Sequence, residues 1–258
     1  MTSSVDDYGR REMKERERET LRRFASGDPD AGFWISWLET QGFCEYKLCL
    51  LHRGDMEPDT EAVSEGLPDH RGIKEAHDAL ALGEVPVEDA VTRAIGLGEV
   101  ASYSESYVAG YGLVGQVDGL VLGHDGSGRD TAWLVDHKPR PRTVGMEPFY
   151  GQQRQVLGYA VAWSAMYPIY LVSGSIVAVI RDRGTLPKHD LCKGWLWEKA
   201  LTVDDVRRIL EVVDWVRDML RSPGYELARD TSKAGKCKGC GYGHCVGSGV
   251  CDRDKSLE

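Results

Sequence analysis

The sequence predicts an α/β fold, in which helices flank a central sheet. Three predicted strands at 101–109, 113–122 and 131–138 follow one another closely, and a Gly-rich turn at 124–128 joins the second strand to the third. Stretches with helical spacing of apolar residues precede and follow this block. The chain has 258 residues, of which 41% are hydrophobic and 28% charged, so it can form a packed core.

Helical segments are expected before the strands. Residues 8–25 are dense in Arg, Lys and Glu, which predicts a solvated helix with opposite charges paired four residues apart. Segment 33–52 mixes Trp, Phe, Leu and Cys at near-helical spacing and predicts a buried helical segment. A further helical zone is expected at 61–82, interrupted near Pro68, and a linker marked by Gly and Pro leads to the first strand.

Another helix and strand are expected after the block. Residues 148–167 predict the helix and 176–181 the strand. The stretch 155–180 carries no charge, but Pro168 and neighbouring Gly and Ser residues interrupt it, so we interpret it as protein core and expect no membrane contact. A last helix is expected at 202–221, where apolar residues recur at helical spacing and acids lie in the first turn.

The composition shifts along the chain predict four parts. These are a charged helical extension at 1–30, a helical region at 31–98, a core at 99–225 and a Cys-rich tail at 226–258. The tail is rich in Gly and Lys and has little capacity to form a core, so it needs a ligand or a docking surface to be ordered. Because the first residues lack the apolar run of a secretory signal, we expect a reducing, cytoplasmic location.

A carboxylate and a lysine end the third predicted strand. Asp136 and Lys138 lie two residues apart, so on a strand both side chains point to the same face. Asp118, on the preceding strand, is expected to meet them across the hairpin. Carboxylates can hold Mg²⁺ or Mn²⁺, and an ammonium group can orient water and offset charge on a phosphate. The alternative is a strand-end ion pair, with Asp118 as a turn residue.

Further side chains fit the same site. Gln155 and Tyr159 lie four residues apart on a predicted helix, so they share a face and can contact phosphate or position the lysine. The alternative for this pair is an ordinary helix. Two histidines are candidate Mn²⁺ ligands: His70 lies in a turn next to Pro68, whereas His77 lies in a continuous helical stretch. We favour His77, because a helix would hold it rigidly.

Cysteines are concentrated near the end of the chain, where Cys237-x2-Cys240-x4-Cys245 can place three thiolates on one metal. The fourth ligand would come from Cys44 or from Cys251. Four thiolates suit either zinc or an iron–sulfur cluster, but a zinc ribbon usually has two Cys-x2-Cys pairs and this segment has one. The alternatives are unligated thiols or a redox-active pair.

The order of these motifs resembles the iron–sulfur branch of the RecB-like PD-(D/E)xK nucleases, which includes Cas4-type nucleases of CRISPR adaptation and AddB-type nuclease domains. The motifs that carry the resemblance are Cys44, His77 or His70, Gly115-x2-Asp118, Asp136-x-Lys138, Gln155-x3-Tyr159 and Cys237-x2-Cys240-x4-Cys245. Two features depart from the family pattern: His137 follows Asp136, and the last cysteine spacing is one residue shorter than is common.

The resemblance implies a restriction-endonuclease-like core and two inorganic groups. A 4Fe–4S cluster, with 2Fe–2S or zinc as the alternatives, would join the tail to the N-terminal helical region through Cys44, Cys237, Cys240 and Cys245. A Mg²⁺ or Mn²⁺ ion would be held by His77, Asp118, Asp136 and the backbone carbonyl of His137. Lys138 would serve the attacking water, with Gln155 and Tyr159 in support.

The implied activity is a metal-dependent deoxyribonuclease that trims single-stranded or frayed DNA. Arg140, Arg142 and Arg154 flank the site and are expected to bind the strand. The role would lie in CRISPR spacer acquisition, with integrase proteins as partners, or in recombination and repair. The alternative from another class is a non-catalytic iron–sulfur or zinc subunit that binds DNA.

The net charge is −9, from 41 acidic and 32 basic residues, which by itself disfavours a nucleic-acid partner. The motifs favour DNA nevertheless, because several of the acids are assigned to a cation. The sequence therefore predicts a basic, metal-bearing groove near residues 138–154 on an acidic molecule.

Overall fold

A computed structural model of the chain describes residues 4–54, 74, 75, 77, 85–138, 147–182 and 194–228, without the side chains of residues 4–14, 96 and 97. In chain order its elements are α1 (Ser4–Ser26), β1 (Phe33–Trp34), α2 (Ser36–Phe43), α3 (Glu45–Arg53), α4 (Val87–Leu97), β2 (Ala101–Gly110), β3 (Leu113–His124), β4 (Asp130–Lys138), α5 (Tyr150–Met166), α6 (Ile169–Val172), β5 (Ser175–Asp182), β6 (Trp195–Ala200) and α7 (Val203–Arg221), followed by a 3₁₀ turn at Pro223–Tyr225.

The strands form one mixed, six-stranded sheet, and helices pack against it, which confirms the predicted α/β class. Along the sheet the order is β1-β3-β4-β5-β6, and β2 pairs with the other side of β3. The pairs β2–β3, β3–β4 and β5–β6 are antiparallel, whereas β1–β3 and β4–β5 are parallel. The parallel β4–β5 pair requires a crossover connection, and α5 lies in that connection.

Strands β3 and β4 part before β4 ends. Their pairing runs from His124 opposite Asp130 to Gly119 opposite Val135, and it stops there. The last three residues of β4 continue along β5, with Lys138 opposite Asp182. Near its start β3 pairs on this side with β1 instead. A fork therefore opens between β3 and β4, next to the end of β4.

Helix α5 covers one face of the sheet, and α2 crosses over it. The two helices approach so closely that a Cβ atom added to Gly42 would lie 2.6 Å from the Cα atom of Gly151. A Cβ atom added to Gly151 would lie 2.6 Å from the backbone oxygen of Glu39. Glycine is needed at this crossing because any side chain would collide with backbone, and the close approach places α2 near the fork.

Segment 33–52 differs from the single helical segment that its spacing predicts. The backbone N–H of Phe33 donates to the carbonyl of Gly112 at 2.7 Å, and that of Ile35 donates to Val114 at 2.9 Å, so the segment begins as a short strand. Cys44 then has extended backbone (φ −163°, ψ 119°) and separates α2 from α3. The short strand forms because backbone carbonyl groups at the start of β3, which are remote in sequence, accept these hydrogen bonds.

The charged N-terminal helix is less solvated than its composition predicts. Leu21 and Phe24, near the end of α1, are buried in the main core. The Phe24 ring packs edge-on against Phe33, with ring centres 5.1 Å apart, and the Arg217 guanidinium of α7 lies 4.5 Å from its centre. The end of α1 is thus part of the folded core rather than a separate solvated extension.

Three elements, α4, α6 and β6, lie where no helix or strand is expected from the sequence. α4 occupies the segment that we interpret as a linker, because Ala90, Val91 and Ala94 form a small apolar stripe that packs into the core. β6 pairs with the outer edge of β5 and has a mostly half-buried surface without clear alternation. In the described part of the chain, no helix combines the length and apolar character that a membrane crossing needs.

Replacing Gly151 by Ala is expected to destabilise the protein by about 1–3 kcal/mol, because the new Cβ atom overlaps backbone that cannot rotate away. Helix propensity alone would favour Ala here by up to about 1 kcal/mol, so a net loss isolates the collision. Thermal unfolding measures the effect. Gly126→Ala is the control, because no atom lies within 4 Å of its added Cβ atom. Equal melting temperatures for both variants would contradict the close crossing.

Candidate active site

The fork between β3 and β4 brings the predicted carboxylates together. The backbone N–H of His137 has no ladder partner on β3, and it donates a 2.8 Å hydrogen bond to Oδ2 of Asp118. The Asp118 side chain therefore bridges the opening between the strands. Its charge also raises the pKa of Asp136, so the two carboxylates lie within electrostatic reach of each other. This convergence agrees with the prediction from the hairpin.

Lys138 lies at the centre of the site. Its Nζ atom is 3.2 Å from Oδ2 of Asp136, as expected for two residues on one strand face. The same ammonium group donates to Oε1 of Gln155 at 2.9 Å, and Nε2 of Gln155 donates to the Tyr159 hydroxyl at 3.1 Å. The predicted Gln155 and Tyr159 pair thus shares a helix face that is turned towards the lysine, and it fixes the position of the ammonium group.

Glu39 is a member of the site that the sequence does not reveal. Lys138 Nζ donates to its Oε2 atom at 2.8 Å, across 99 positions of the chain. Glu39 reaches the lysine because α2 crosses α5 at the Gly42 and Gly151 contact. No local pattern marks it, since a carboxylate on a helix is ordinarily a solvated residue.

Burial sets the electrostatics of this cluster. Removal from water raises the pKa of Asp136, Asp118 and Glu39 raise it further, and Lys138 opposes the shift. Burial works against the charge on Lys138, but Asp136 and Glu39 outweigh it, so the pKa of Lys138 is raised and its side chain is an ammonium ion. Burial likewise raises the pKa of Tyr159, which stays a neutral hydroxyl.

The charges in this cluster leave a surplus of negative charge. One ammonium group faces three carboxylates, and the buried Oδ2 atom of Asp136 shares that ammonium group with Glu39. Buried carboxylates need a partner charge, and hard divalent cations bind carboxylate oxygens. Asp118 and Asp136 therefore fit a Mg²⁺ or Mn²⁺ ion chemically. Among the described residues, no three His, Cys, Asp or Glu side chains are already arranged to hold a metal.

The resemblance implies that His77 is a metal ligand together with Asp136, but the structure places His77 on the opposite face of the sheet. Its Nε2 atom lies 3.2 Å from Nε2 of His137, and its Nδ1 atom lies 2.7 Å from the hydroxyl of Ser102. Successive strand residues point to opposite faces, so the His137 ring lies on the face opposite to Asp136, and His77 packs there. A Cβ atom added to Gly119 would meet the His77 ring at 2.1 Å, so Gly119 makes room for it.

Cys44 lies at the start of α3, and its thiol is buried. The neighbouring Cys49 is also buried, which raises the pKa of its thiol to about 12, with Glu45 and Cys44 adding to the shift. His52, at the end of α3, contacts the hydroxyl of Tyr225 at 2.9 Å, so the last described residues run past this helix. Cys237, Cys240, Cys245, Cys251 and His70 lie outside the described residues.

Arg154 is the one predicted DNA-binding residue within the described chain, because Arg140 and Arg142 lie outside it. Its guanidinium stacks 4.2 Å from the centre of the Tyr150 ring and donates to Oε1 of Gln41. Arg154 therefore lies on the side of α5 that faces α2 rather than beside Lys138.

Comparisons with known proteins add little to this site. No protein-family model matches the chain, and no curated protein matches it. Among solved structures, the crystal structure of SSO0001 matches over 90% of this chain and 95% of that one, at 10% identity and a TM-score of 0.33. A likeness at this TM-score supports no conclusion about fold or function. The function is therefore inferred from the residues of the site.

Replacing Asp136 by Asn is expected to change how stability depends on pH. Because the folded protein raises the pKa of Asp136, wild-type stability attributable to this group falls as pH rises from about 4 towards neutral. In the absence of metal, the Asn variant should gain on the wild type over this range, by about 1 kcal/mol or more at pH 8. Urea unfolding in EDTA from pH 5 to 8 measures the difference.

Asp205→Asn is the matched control. Asp205 is also buried, but hydrogen bonds from Lys199 and Thr202 outweigh the effect of burial and lower its pKa. Its removal should cost the same stability throughout pH 5 to 8, and the loss should shrink only below about pH 4, as pH falls from the ordinary pKa of an Asp towards the lowered pKa of Asp205. If both variants changed with pH in the same direction, the assigned environment of Asp136 would be wrong.

Proposed function

We propose that this chain is a metal-dependent DNA nuclease with a PD-(D/E)xK core. The observation that carries the proposal is the convergence of Asp118, Asp136 and Lys138 at the open fork between β3 and β4. Carboxylates from adjacent strands with a lysine two residues beyond one of them are the arrangement that phosphodiester hydrolysis by this class of enzyme requires. Gln155 and Glu39 hold the lysine in place.

Each side chain of the site would have a separate role in hydrolysis. Asp118 and Asp136, with the carbonyl of His137, would hold Mg²⁺ or Mn²⁺, which when bound polarises phosphate and lowers the pKa of water. Lys138 is protonated, so it donates hydrogen bonds and offsets negative charge on the phosphate. Water attacks phosphorus and the bond from phosphorus to one bridging oxygen breaks, which leaves a phosphate on one fragment and a hydroxyl on the other.

The carboxylate of Glu39 keeps Lys138 charged and fixes its position. The ammonium group donates to both Glu39 and Gln155, and the Lys138 side chain is only 15% exposed. Preorganised donors of this kind stabilise developing charge without reorganisation during the reaction. Glu39 is thus a positioning residue, and its effect on the reaction passes through Lys138.

An iron–sulfur cluster forms the second part of the proposal. Cys44 lies at a break between two helices, and the described chain ends three residues after Tyr225, whose hydroxyl contacts His52 of α3. Cys237 follows Ala228 by nine residues, a length that spans up to about 30 Å when extended. The tail cysteines can therefore reach Cys44, and a shared 4Fe–4S cluster would close a long loop and stabilise the fold.

The biological setting follows from the same resemblance. We propose single-stranded or frayed DNA as the substrate, a cytoplasmic location, and a role in CRISPR spacer acquisition with integrase proteins as partners. A recombination or repair nuclease of the same superfamily is the alternative role. The substrate and the chemistry are common to both, so the experiments below test the site whichever role applies.

Cleavage of end-labelled single-stranded DNA with Mn²⁺ tests the active site. Asp136→Ala and Lys138→Ala are expected to lower the rate by at least about a hundredfold, because each removes a group that acts on the reacting phosphate. Glu39→Gln should lower it less, by about three- to thirtyfold, since it keeps a weaker acceptor for the lysine. Exposed Asp214→Ala serves as the control and should cleave at the wild-type rate.

Two outcomes would contradict the assignment in different ways. Equal cleavage by the wild type, Asp136→Ala and Lys138→Ala would show that the activity resides elsewhere. DNA binding without cleavage by the wild type, with either Mg²⁺ or Mn²⁺, would favour a non-catalytic iron–sulfur or zinc subunit.

The colour and metal content of the anaerobically purified protein test the cluster. We expect a brown protein that absorbs at about 400 nm, and Cys44→Ser and Cys237→Ser should lose iron and lower the melting temperature. Cys192→Ser should retain the iron, whereas Cys251→Ser decides whether that residue replaces Cys44 as a ligand. A colourless protein with bound zinc, or full iron content in both ligand variants, would overturn the proposal.

A further inference from the structure

A cleft of about 850 Å³ lies on the outer side of α5, bounded by α2, β6 and α7. Its size falls within the range of sites that bind small molecules and single groups of a polymer. The lining residues on which the argument depends are Tyr150, Arg154, Trp197, Arg208 and Trp215. None of the motifs that predict the active site includes the three aromatic residues, and the cleft lies apart from Lys138.

Aromatic rings form the walls of the cleft. Trp197 and Trp215 are half-buried, and Tyr150 is exposed at the start of α5. The Trp215 ring is fixed, because its Nε1–H donates to Oε1 of buried Glu45 at 3.0 Å. Gln41 donates to the same oxygen at 2.8 Å. Trp215 therefore offers a flat surface in a set orientation.

Among the described residues, three basic and three acidic side chains line the cleft, so its charges balance in number. Lys199 and Asp205 pair with each other and cancel, and the Glu45 carboxylate is buried below the surface as an acceptor for Gln41 and Trp215. The third acid, Glu211, lies 3.9 Å from Arg207, which is not a lining residue, and neither Arg154 nor Arg208 forms an ion pair with a described acid. Arg208 is exposed on α7 and makes no ion pair or hydrogen bond with any residue that the structure describes. The Arg154 guanidinium is held against Tyr150.

We propose that this cleft binds a nucleotide. The base would stack on Trp197 and Trp215, since the π-face of every base suits an aromatic ring, and the phosphate would lie against Arg208 and Arg154. The inference rests on the proposed nuclease function in supposing that the nucleotide belongs to the DNA strand being cut. A free mononucleotide presents the same chemistry.

The location of the cleft relative to Lys138 supports this occupant. Gln155 contacts Lys138 on one side of α5, while the adjacent Arg154 lines the cleft on another. A helix is about 10–12 Å across, so the two sites are one helix width apart. Phe149 and Tyr150 expose 59% and 61% of their surface at the N-terminal end of α5. A strand that crosses this end of the helix can occupy both.

Binding of fluorescein-labelled oligothymidylate, measured by anisotropy in EDTA at about 0.15 M salt, tests the proposal. Arg208→Glu is expected to raise Kd at least about tenfold, because it reverses the charge next to the phosphate. Arg207→Glu is the matched control, with the same charge change one residue away on α7, where Arg207 does not line the cleft and pairs with Asp204 at 2.9 Å and with Glu211 at 3.9 Å. It should change Kd less than about threefold.

An abasic oligonucleotide and thymidine monophosphate identify what is bound. If the base stacks in the cleft, the wild type should bind the abasic strand at least about fivefold more weakly, and the difference should disappear in Trp197→Leu. Competition by the monophosphate at millimolar levels would assign the site to a free nucleotide, and its failure would assign the site to the strand. Equal binding by Arg208→Glu and Arg207→Glu, or no preference for bases, would overturn the proposal.

The two proposals can fail separately. If the wild type binds through Arg208 but never cleaves, the nuclease proposal fails and the nucleotide site stands. If the wild type cleaves while Arg208→Glu binds normally, the nucleotide site fails and the nuclease proposal stands.

Discussion

The parting of β3 and β4 is the constraint on which the rest of the site depends. A sheet normally pairs every backbone group of an inner strand, so where β3 and β4 part, the backbone N–H of His137 needs an acceptor other than a β3 carbonyl. The Asp118 carboxylate supplies it. The same interaction keeps the strands apart and holds one carboxylate beside another, so the backbone geometry of the sheet and the chemistry of the proposed site have a single cause.

The opening also decides the charge balance around Lys138. Burial first, and the charges of Asp118 and Glu39 after it, raise the pKa of Asp136, so ionising this carboxyl group in the folded protein is unfavourable. An arrangement that is unfavourable for the protein alone is favourable once a divalent cation is bound. Such strained electrostatics are typical of functional sites, because a cluster selected for stability alone would exchange a carboxylate for a neutral side chain.

Helix α5 connects the two sites that we propose. Its inner face carries Gln155 and Tyr159 towards the fork, and its outer face carries Tyr150 and Arg154 towards the cleft. The glycine contact between α2 and α5 allows α2 to serve both: Glu39 reaches Lys138, while Gln41 reaches Arg154 and Glu45. Glu39 and Gln41, two positions apart on α2, thus contact Lys138 and the cleft-lining Arg154, respectively.

The parts of the site that the sequence determined are those set by local periodicity. A two-residue strand repeat places Asp136 beside Lys138, a four-residue helical spacing places Gln155 beside Tyr159, and a Gly-rich turn predicts the hairpin that brings Asp118 close. The same patterns predict the α/β class and most strands. They rest on backbone geometry, which repeats at fixed intervals and can therefore be read without knowledge of distant contacts.

Only the tertiary structure decided which distant groups meet. Glu39 reaches Lys138 across 99 positions, and β1 replaces the start of a predicted helix because β3 has free backbone groups. His77 packs against the ring of His137, since neighbouring strand residues face opposite sides. The cleft needs β6 and α7 beside α5. Such meetings depend on how the helices pack and where strands part, which no short-range spacing in the sequence specifies.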